Sequence, residues 1–341
     1  MPSADVIVIG LGGMGGAAAL HLARRGARVL GIEQFGVAHD RGSSHGQTRI
    51  IRKAYFEHPD YVPLLHRTYD LWGELEQASG RQLITRAGLM LAGPPDGEIA
   101  SGVRAAAEQH DLDIQPVPAG EVSERFRGFR FDPAMDVLFE ADAGFLRVED
   151  CVRAHIEQAI RHGARLIFGR TVRGWSADAG GVAVWTDDER YTADHLVVTV
   201  GPWAGRLLTA LAPSLEVRRK VQTWFACDAA AYLVEDGSPV FGMETAEGFF
   251  YGFPAVEPGV VKVAEHTGRQ TVGDPDEVDR ALHPDDLTRV RRFVAEHLPL
   301  VGPDVVNHSV CMYTMTPDEQ IPRESPSSIR TTDLPALAYR F

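Results

Sequence analysis

The chain predicts an α/β fold in which a Rossmann-like domain is interrupted by a mainly β domain with a mixed sheet and flanking helices. Three observations predict it. A β-branched run at the start leads directly into Gly-x-Gly-x-x-Gly and an alanine-rich helical segment. Strand and helix patterns then alternate as far as Val200, and from Arg218 the pattern changes to closely spaced strands.

Residues 6–9, Val-Ile-Val-Ile, are apolar without alternation, as in a strand buried on both faces. In the turn that follows, Gly10 permits a tight bend, Gly12 lets backbone approach a pyrophosphate, and Gly15 lets the helix lie against the strand. A second strand over residues 28–32 ends at Glu33, about twenty residues past the glycines, where a carboxylate would hold a ribose hydroxyl. The order of strand, glycines, helix, strand and acid reads as an adenine-dinucleotide site. It does not choose between a nicotinamide and a flavin.

Residues 36–52 are small and polar but carry His45, Arg49 and Arg52, on a loop leaving the carboxyl end of the second strand. Residues 61–77 form an amphipathic helix with Leu64, Leu65, Leu71, Trp72 and Leu75 on its core-facing side. A strand pair around Gly88, helices over 101–110 and 121–126, and extended segments over 137–140 and 143–148 follow, the last entering a helix over 149–162. A strand over 164–168, a hairpin turning at Gly180-Gly181, and a buried strand over 196–200 return to the first domain. Strands over 220–226, 240–243, 249–253 and 260–264 and a charged helix, Pro284–His297, complete the β-rich part.

The composition, 44% hydrophobic and 24% charged over 341 residues, is that of a soluble globular protein of about two domains. A formal net charge of −13 argues against nucleic acid. No apolar run approaches the roughly 18 to 20 residues that span a bilayer, and no leader is visible before the first strand. Three scattered cysteines, Cys151, Cys227 and Cys311, form neither a zinc spacing nor a disulfide framework and suit a reducing compartment. A cytoplasmic protein without a metal is expected. Nothing specifies an oligomer, and a monomer is the expectation.

Two groups of residues have chemical potential. Spacing alone leaves His45, Arg49 and Arg52 either a solvated basic loop or a site for a carboxylate or an anionic cofactor. Period two places Lys262 and His266 on one face of a strand, with Tyr251 on a neighbour. A lysine between Val260-Val261 and Val263-Ala264 is either an edge-strand gatekeeper or a functional cation. On local grounds Cys311 reads as an inert core cysteine.

These stretches together resemble the monomeric sarcosine oxidase family, which includes N-methyltryptophan oxidase. The matching segments are Gly10 to Gly15 with Glu33, Gly42-Ser-Ser-His-Gly-Gln-Thr-Arg-Ile-Ile-Arg-Lys-Ala-Tyr55, Tyr61-Val-Pro63, Tyr251-Gly-Phe-Pro254, Lys262 to His266, and Cys311-Met-Tyr-Thr-Met-Thr-Pro-Asp-Glu319. The resemblance implies an oxidase of N-methyl amino acids with O2 as acceptor, and FAD attached through a thioether to Cys311. It implies that His45 and Arg49 lie against the flavin and that Arg52 pairs with a substrate carboxylate. Tyr251 and His266 would line the substrate pocket, and Lys262 would be the cation that promotes electron transfer to oxygen. Oxidation would give an imine, hydrolysed by water, and hydrogen peroxide. Ser44, Gln47 and Glu265 depart from the family pattern, which bears on substrate choice.

The implied organisation is an FAD-binding domain of residues 1–85 and 143–216, a substrate domain of 86–142 and 217–319, and an atypical tail of 320–341. In place of a Gly-x-Ser-Gly-His-Gly-Phe-Lys type segment, the tail reads Gln320-Ile-Pro-Arg-Glu-Ser-Pro-Ser-Ser. A shifted reading frame or truncated gene product is the expectation it raises. The alternatives are a non-catalytic remnant of the family and, more weakly, a nicotinamide-dependent dehydrogenase.

Overall fold

The computed structural model describes residues 4–317 apart from Arg269, and of Ala229 only the backbone. The atypical tail lies outside the described residues.

The first sheet has six strands in the order Gly174–Asp178, Gly181–Trp185, Arg190–Val198, Ala4–Ile9, Val29–Ile32 and Arg165–Ile167. From Arg190–Val198 onward the pairing is parallel, and the first two strands add an antiparallel meander. Ala4–Ile9 is central and covered on both faces, with Ile7 and Val8 fully buried. Burial of each such side chain contributes about 1.5–3 kcal/mol, which is why the run lacks alternation. The helices Gly13–Arg24 and Val148–Arg161 pack together on one face, where Gly16 meets the Cβ of His155. The expected hairpin proves three-stranded, and the strand expected to be buried over 196–200 is half-buried, because Val198, Thr199 and Val200 border a cavity.

The second sheet has nine strands. Its path runs Thr271–Val272, Glu216–Cys227, Val260–Glu265, Gly248–Glu257, Val240–Thr245, Leu89–Gly93, Asp136–Glu140 and Ile114–Pro116, and Val301–Met315 pairs with Glu216–Cys227. It is mixed: Leu89–Gly93 and Val240–Thr245 run parallel and the rest antiparallel. The helix Pro284–His297 covers one face through Leu287, Val290, Phe293 and Val294, with Phe293 stacked on Phe250 at 4.5 Å between centroids. A three-stranded sheet of Thr48–Ile51, Gly144–Arg147 and Ile84–Thr85 lies where the chain crosses between the large sheets.

Two expectations are corrected here. The helix Val62–Ser79 buries Val62, Tyr69 and Leu75, but Leu64 is exposed and Leu65, Leu71 and Trp72 are half-buried. Its apolar stripe borders a cavity and is not simply core-facing. Lys262 is no edge gatekeeper, since its strand lies inside the sheet, paired on both sides.

Candidate functional site: a glycine cradle and a buried cationic cluster

The turn after the first strand takes the shape its glycines allow. Gly10 has φ +84°, and a Cβ on Gly15 would stand 1.8 Å from the Gly10 carbonyl oxygen, so helix and strand touch backbone to backbone. The helix starts at Gly12 without a side-chain cap, although the Gly13 N–H donates to Ser44 Oγ at 3.1 Å. Glu33 is buried at the end of its strand. Its carboxylate accepts from the Leu11 N–H at 2.7 Å and the Phe35 N–H at 3.0 Å, and so ties the glycine turn to the second strand.

Two cavities meet here. One of about 250 Å³ is bordered by Gly10, Gly12, Glu33, Thr199 and Trp203. The other, about 550 Å³, is bordered by Arg49, Arg52, Glu57, Trp72 and Thr316. Gly13, Met14, Ser43, Ser44 and Thr314 border both. Thr314 Oγ1 and Arg52 Nε are buried polar atoms without a partner among the described residues. An elongated anion with a planar head, such as FAD, fits this arrangement: a backbone cradle at a helix start, continuous space, and unsatisfied donors along it.

The basic stretch is not a solvated loop. Thr48–Ile51 is a strand, and His45, Thr48 and Arg52 are buried. Arg52 Nη2 donates to both Glu57 carboxylate oxygens at 2.6 and 2.8 Å, and the guanidinium lies 4.3 Å from the Tyr55 and Phe56 ring centres. Burial opposes its charge most strongly, but Glu57, Tyr55 and Glu140 together outweigh it and raise its pKa. His45 has both ring nitrogens engaged, Nε2 with the Gly42 carbonyl at 3.0 Å and Nδ1 with Ser309 Oγ at 3.1 Å. Burial, and then Arg49, push it down to about 4, so the imidazole is neutral.

Arg49, Lys262 and Cys311 converge from three strands. Arg49 donates to the carbonyls of Thr48, at 2.9 Å, and Ser43, and its Nη2 stands 3.6 Å from Cys311 Sγ. Cys311 is wholly buried, its thiol also directed at the Ser43 carbonyl at 3.6 Å. Lys262 is 3% exposed, and its ammonium donates to Gly46 O at 2.6 Å and to Thr48 O and Oγ1 at 3.2 Å. Burial first, then Arg49, put its pKa well below the ordinary lysine value.

Tyr251 pairs across the sheet with Ala264, on the face shared by Lys262 and His266, and its ring stands 6.4 Å from the His266 ring. Tyr313 joins them: its hydroxyl is 3.3 Å from His266 Nδ1 and it bonds to Tyr251. Burial raises the pKa of both tyrosines, which stay phenolic. Sequence reasoning singled out neither Tyr313 nor Glu57. Tyr313 sits two residues from Cys311, and so on the same strand face, which was a usable signal; Glu57 had none, because its importance lies in pairing with Arg52.

The family model for FAD dependent oxidoreductases of the DAO type matches residues 5–332. The chain belongs to this family. Among its relatives, a monomeric sarcosine oxidase of Streptomyces avermitilis is 40% identical over 323 residues, 93% of this chain and 84% of that protein. An N-methyl-L-tryptophan oxidase of Citrobacter koseri is 33% identical over 319 residues, 92% and 84% of the two chains. Among solved structures, the open form of NikD, described as an unusual amino acid oxidase essential for nikkomycin biosynthesis, superposes with a TM-score of 0.80 at 27% identity, covering 93% of this chain and 83% of that one. Glycine oxidase from Geobacillus kaustophilus shares the fold, with a TM-score of 0.75 at 18% identity over 94% and 85% of the chains. As a DAO-type FAD dependent oxidoreductase the protein is a flavoenzyme, which sets aside the nicotinamide-dependent alternative.

Proposed function

We propose that this FAD dependent oxidoreductase is an oxidase of N-methyl amino acids, of the sarcosine or N-methyltryptophan kind, with its FAD covalently attached through Cys311. The products would be the demethylated amino acid, formaldehyde and hydrogen peroxide. The observation that carries the reading is the convergence of Arg49, Lys262 and Cys311 beside a cavity that also holds Arg52. Bound FAD supplies a two-electron acceptor that O2 can reoxidise.

The protein's residues would divide the remaining work. Gly10, Gly12 and Gly15 carry the pyrophosphate at the helix start, and Glu33 holds the ribose with the acceptor capacity left beyond Leu11 and Phe35. His45, kept neutral by burial and by Arg49 and held in place by Gly42 and Ser309, fixes the loop that Arg49 reaches across. Arg49 places a fixed charge on the cysteine side. Arg52 binds the substrate carboxylate by exchanging it for Glu57, a like-for-like replacement of one carboxylate by another. Tyr251 and His266, on the sheet face of Lys262, would meet the substrate there, and the Lys262 charge would favour the step that makes an anion from oxygen.

The matching domain reading places FAD on residues 1–85 and 143–216 and substrate on 86–142 and 217–319, in a cytoplasmic monomer. It is supported by the strands, which divide between the two large sheets near these boundaries. No helix among the described residues is long and apolar enough to cross a membrane.

The test is a visible spectrum before and after acid precipitation, together with peroxide release on adding sarcosine or N-methyltryptophan. Yellow protein, flavin that stays with the precipitate, and peroxide are the expected results. In Cys311→Ala the flavin should wash free. Colourless protein, or no peroxide from any secondary amino acid, defeats the proposal.

A further inference from the structure

Lys262 does not meet its oxygen partners by chance of the sheet alone. Two of the three are carbonyls of the turn Gly46-Gln47-Thr48, which is wound the unusual way: Gly46 has φ +95° and Gln47 has φ +68°. Gly46 suits that conformation, whereas for glutamine it costs about 1 kcal/mol or more. A Cβ at Gly46 would also fall 2.0 Å from Gln222 Oε1.

Glu149 holds the turn in place. It sits in the first turn of the helix Val148–Arg161, and its carboxylate accepts from the Gly46 N–H at 2.6 Å and from the Gln47 N–H at 3.1 Å to each oxygen. The Gln47 side chain is clamped as well, accepting from Trp224 Nε1 at 2.9 Å and donating to Glu257 at 3.0 Å. The peptide unit between Gly46 and Gln47 joins the two groups directly: its N–H donates to Glu149 and its carbonyl accepts from Lys262, while the Thr48 carbonyl follows at the start of the strand. The dipole of that one peptide therefore runs from the lysine to the carboxylate.

We propose that Glu149 is the positioning residue for Lys262: it holds the left-handed turn whose carbonyls bind the ammonium and places a negative charge behind the peptide that meets it. The proposal deepens the oxidase reading, in which the charge on Lys262 serves the oxygen step. The charged and titratable groups acting on Lys262 are Arg49 from Thr48–Ile51, Cys311 from Val301–Met315, and Glu149 from its helix, while Trp224 and Phe253 present ring faces. Burial, and then Arg49, favour the neutral amine; Cys311 and, less strongly, Glu149 oppose them.

The sequence makes a direct test practical, because the chain has three lysines, Lys53, Lys220 and Lys262. In protein labelled with ε-13C-lysine, NMR would follow three signals against pH, assigned with Lys53→Arg and Lys262→Met. In Glu149→Gln the Lys262 midpoint should fall by about one pH unit or more, a tenfold change in its ionisation constant, with Lys53 and Lys220 unmoved. A lower melting temperature with an unchanged Lys262 midpoint would mean that Glu149 only braces the loop, and overturns the proposal. If Glu149→Gln does not fold, Glu149→Asp, which draws the charge back by one methylene, should move the midpoint the same way, and no shift there overturns it equally. The measurement needs neither substrate nor oxygen, so it stands or falls apart from the oxidase reading. In protein that releases peroxide, Glu149→Gln should also slow reoxidation by O2 about tenfold while leaving anaerobic reduction by substrate unchanged. Equal slowing of both halves would count against it.

Discussion

Lys262 and Arg52 are the two residues whose surroundings say most about what they do. A lysine on an interior strand, nine-tenths and more removed from solvent, has lost its hydration and regained it as three oxygen partners. Replacing it by methionine keeps the volume but leaves the Gly46 and Thr48 carbonyls without that donor. Lys262→Met should lower stability by about 1–3 kcal/mol and slow the reaction with O2 by about a hundredfold or more, with flavin still bound; stopped-flow reoxidation and a melting curve measure the two effects. Arg52 is a different case, since it already has a carboxylate. Arg52→Gln should raise KM for the amino acid by about a hundredfold, the loss of a charge-assisted pair of hydrogen bonds worth ~3 kcal/mol, and change kcat much less. Equal loss in both constants would place Arg52 in the chemical step instead.

Among elements, the glycine turn and its helix are held to the tightest tolerance. A methyl group at Gly15 would lie 1.8 Å from Gly10 O and 2.5 Å from Thr199 Oγ1, contacts that neither backbone nor hydroxyl can relieve by rotating away. Gly15→Ala should therefore part helix from strand, lowering stability by about 2–3 kcal/mol and giving colourless protein; a yellow variant with an unchanged melting temperature would show that the turn can move. This element was legible in the sequence because its tightest contact, Gly15 on Gly10, lies within six residues, although Thr199, which also crowds both glycines, was not foreseeable. The helix Val62–Ser79 shows the opposite. Its apolar periodicity correctly marks a helix, but whether Leu64 and Leu71 meet a core or the edge of a cavity depends on elements distant in the chain. Likewise the lysine strand has the same local pattern at an edge or an interior, and only its partners Glu216–Cys227 and Gly248–Glu257 decide between them.

Over the whole molecule, two buried histidines make stability depend on pH. His45 and His155 both sit at about 4 from an ordinary 6.5, burial being the main cause in each. Between those values the unfolded chain takes up protons that the folded chain refuses. Their contribution is complete above pH 6.5 and is lost as pH falls toward 4, by up to roughly 3 kcal/mol for each. Glu140 is shifted up, by burial, and works in the opposite direction over part of this range. Thermal melts at pH 7.5, 6 and 5 should show a falling midpoint, and His155→Gln should flatten the fall; a midpoint as high at pH 5 as at pH 7.5 would refute the account. His155 is the cleaner probe, because its Nδ1 bonds to the Cys151 carbonyl and it packs edge-on against Trp72, whereas Arg49 also acts on His45.

By itself the sequence determined the dinucleotide cradle, the run of strands and helices, and the family resemblance, since each depends on residues within a few positions of one another. Only the tertiary structure decided that Arg52 is held by Glu57, that His45 is neutral and enclosed, and that Lys262 faces a turn braced from behind by Glu149. The reason is physical: charge and burial belong to the space around a side chain, and around His45 and Lys262 that space is supplied by segments more than a hundred residues apart, while the pairing of Arg52 with Glu57, five residues on, follows from no local periodicity.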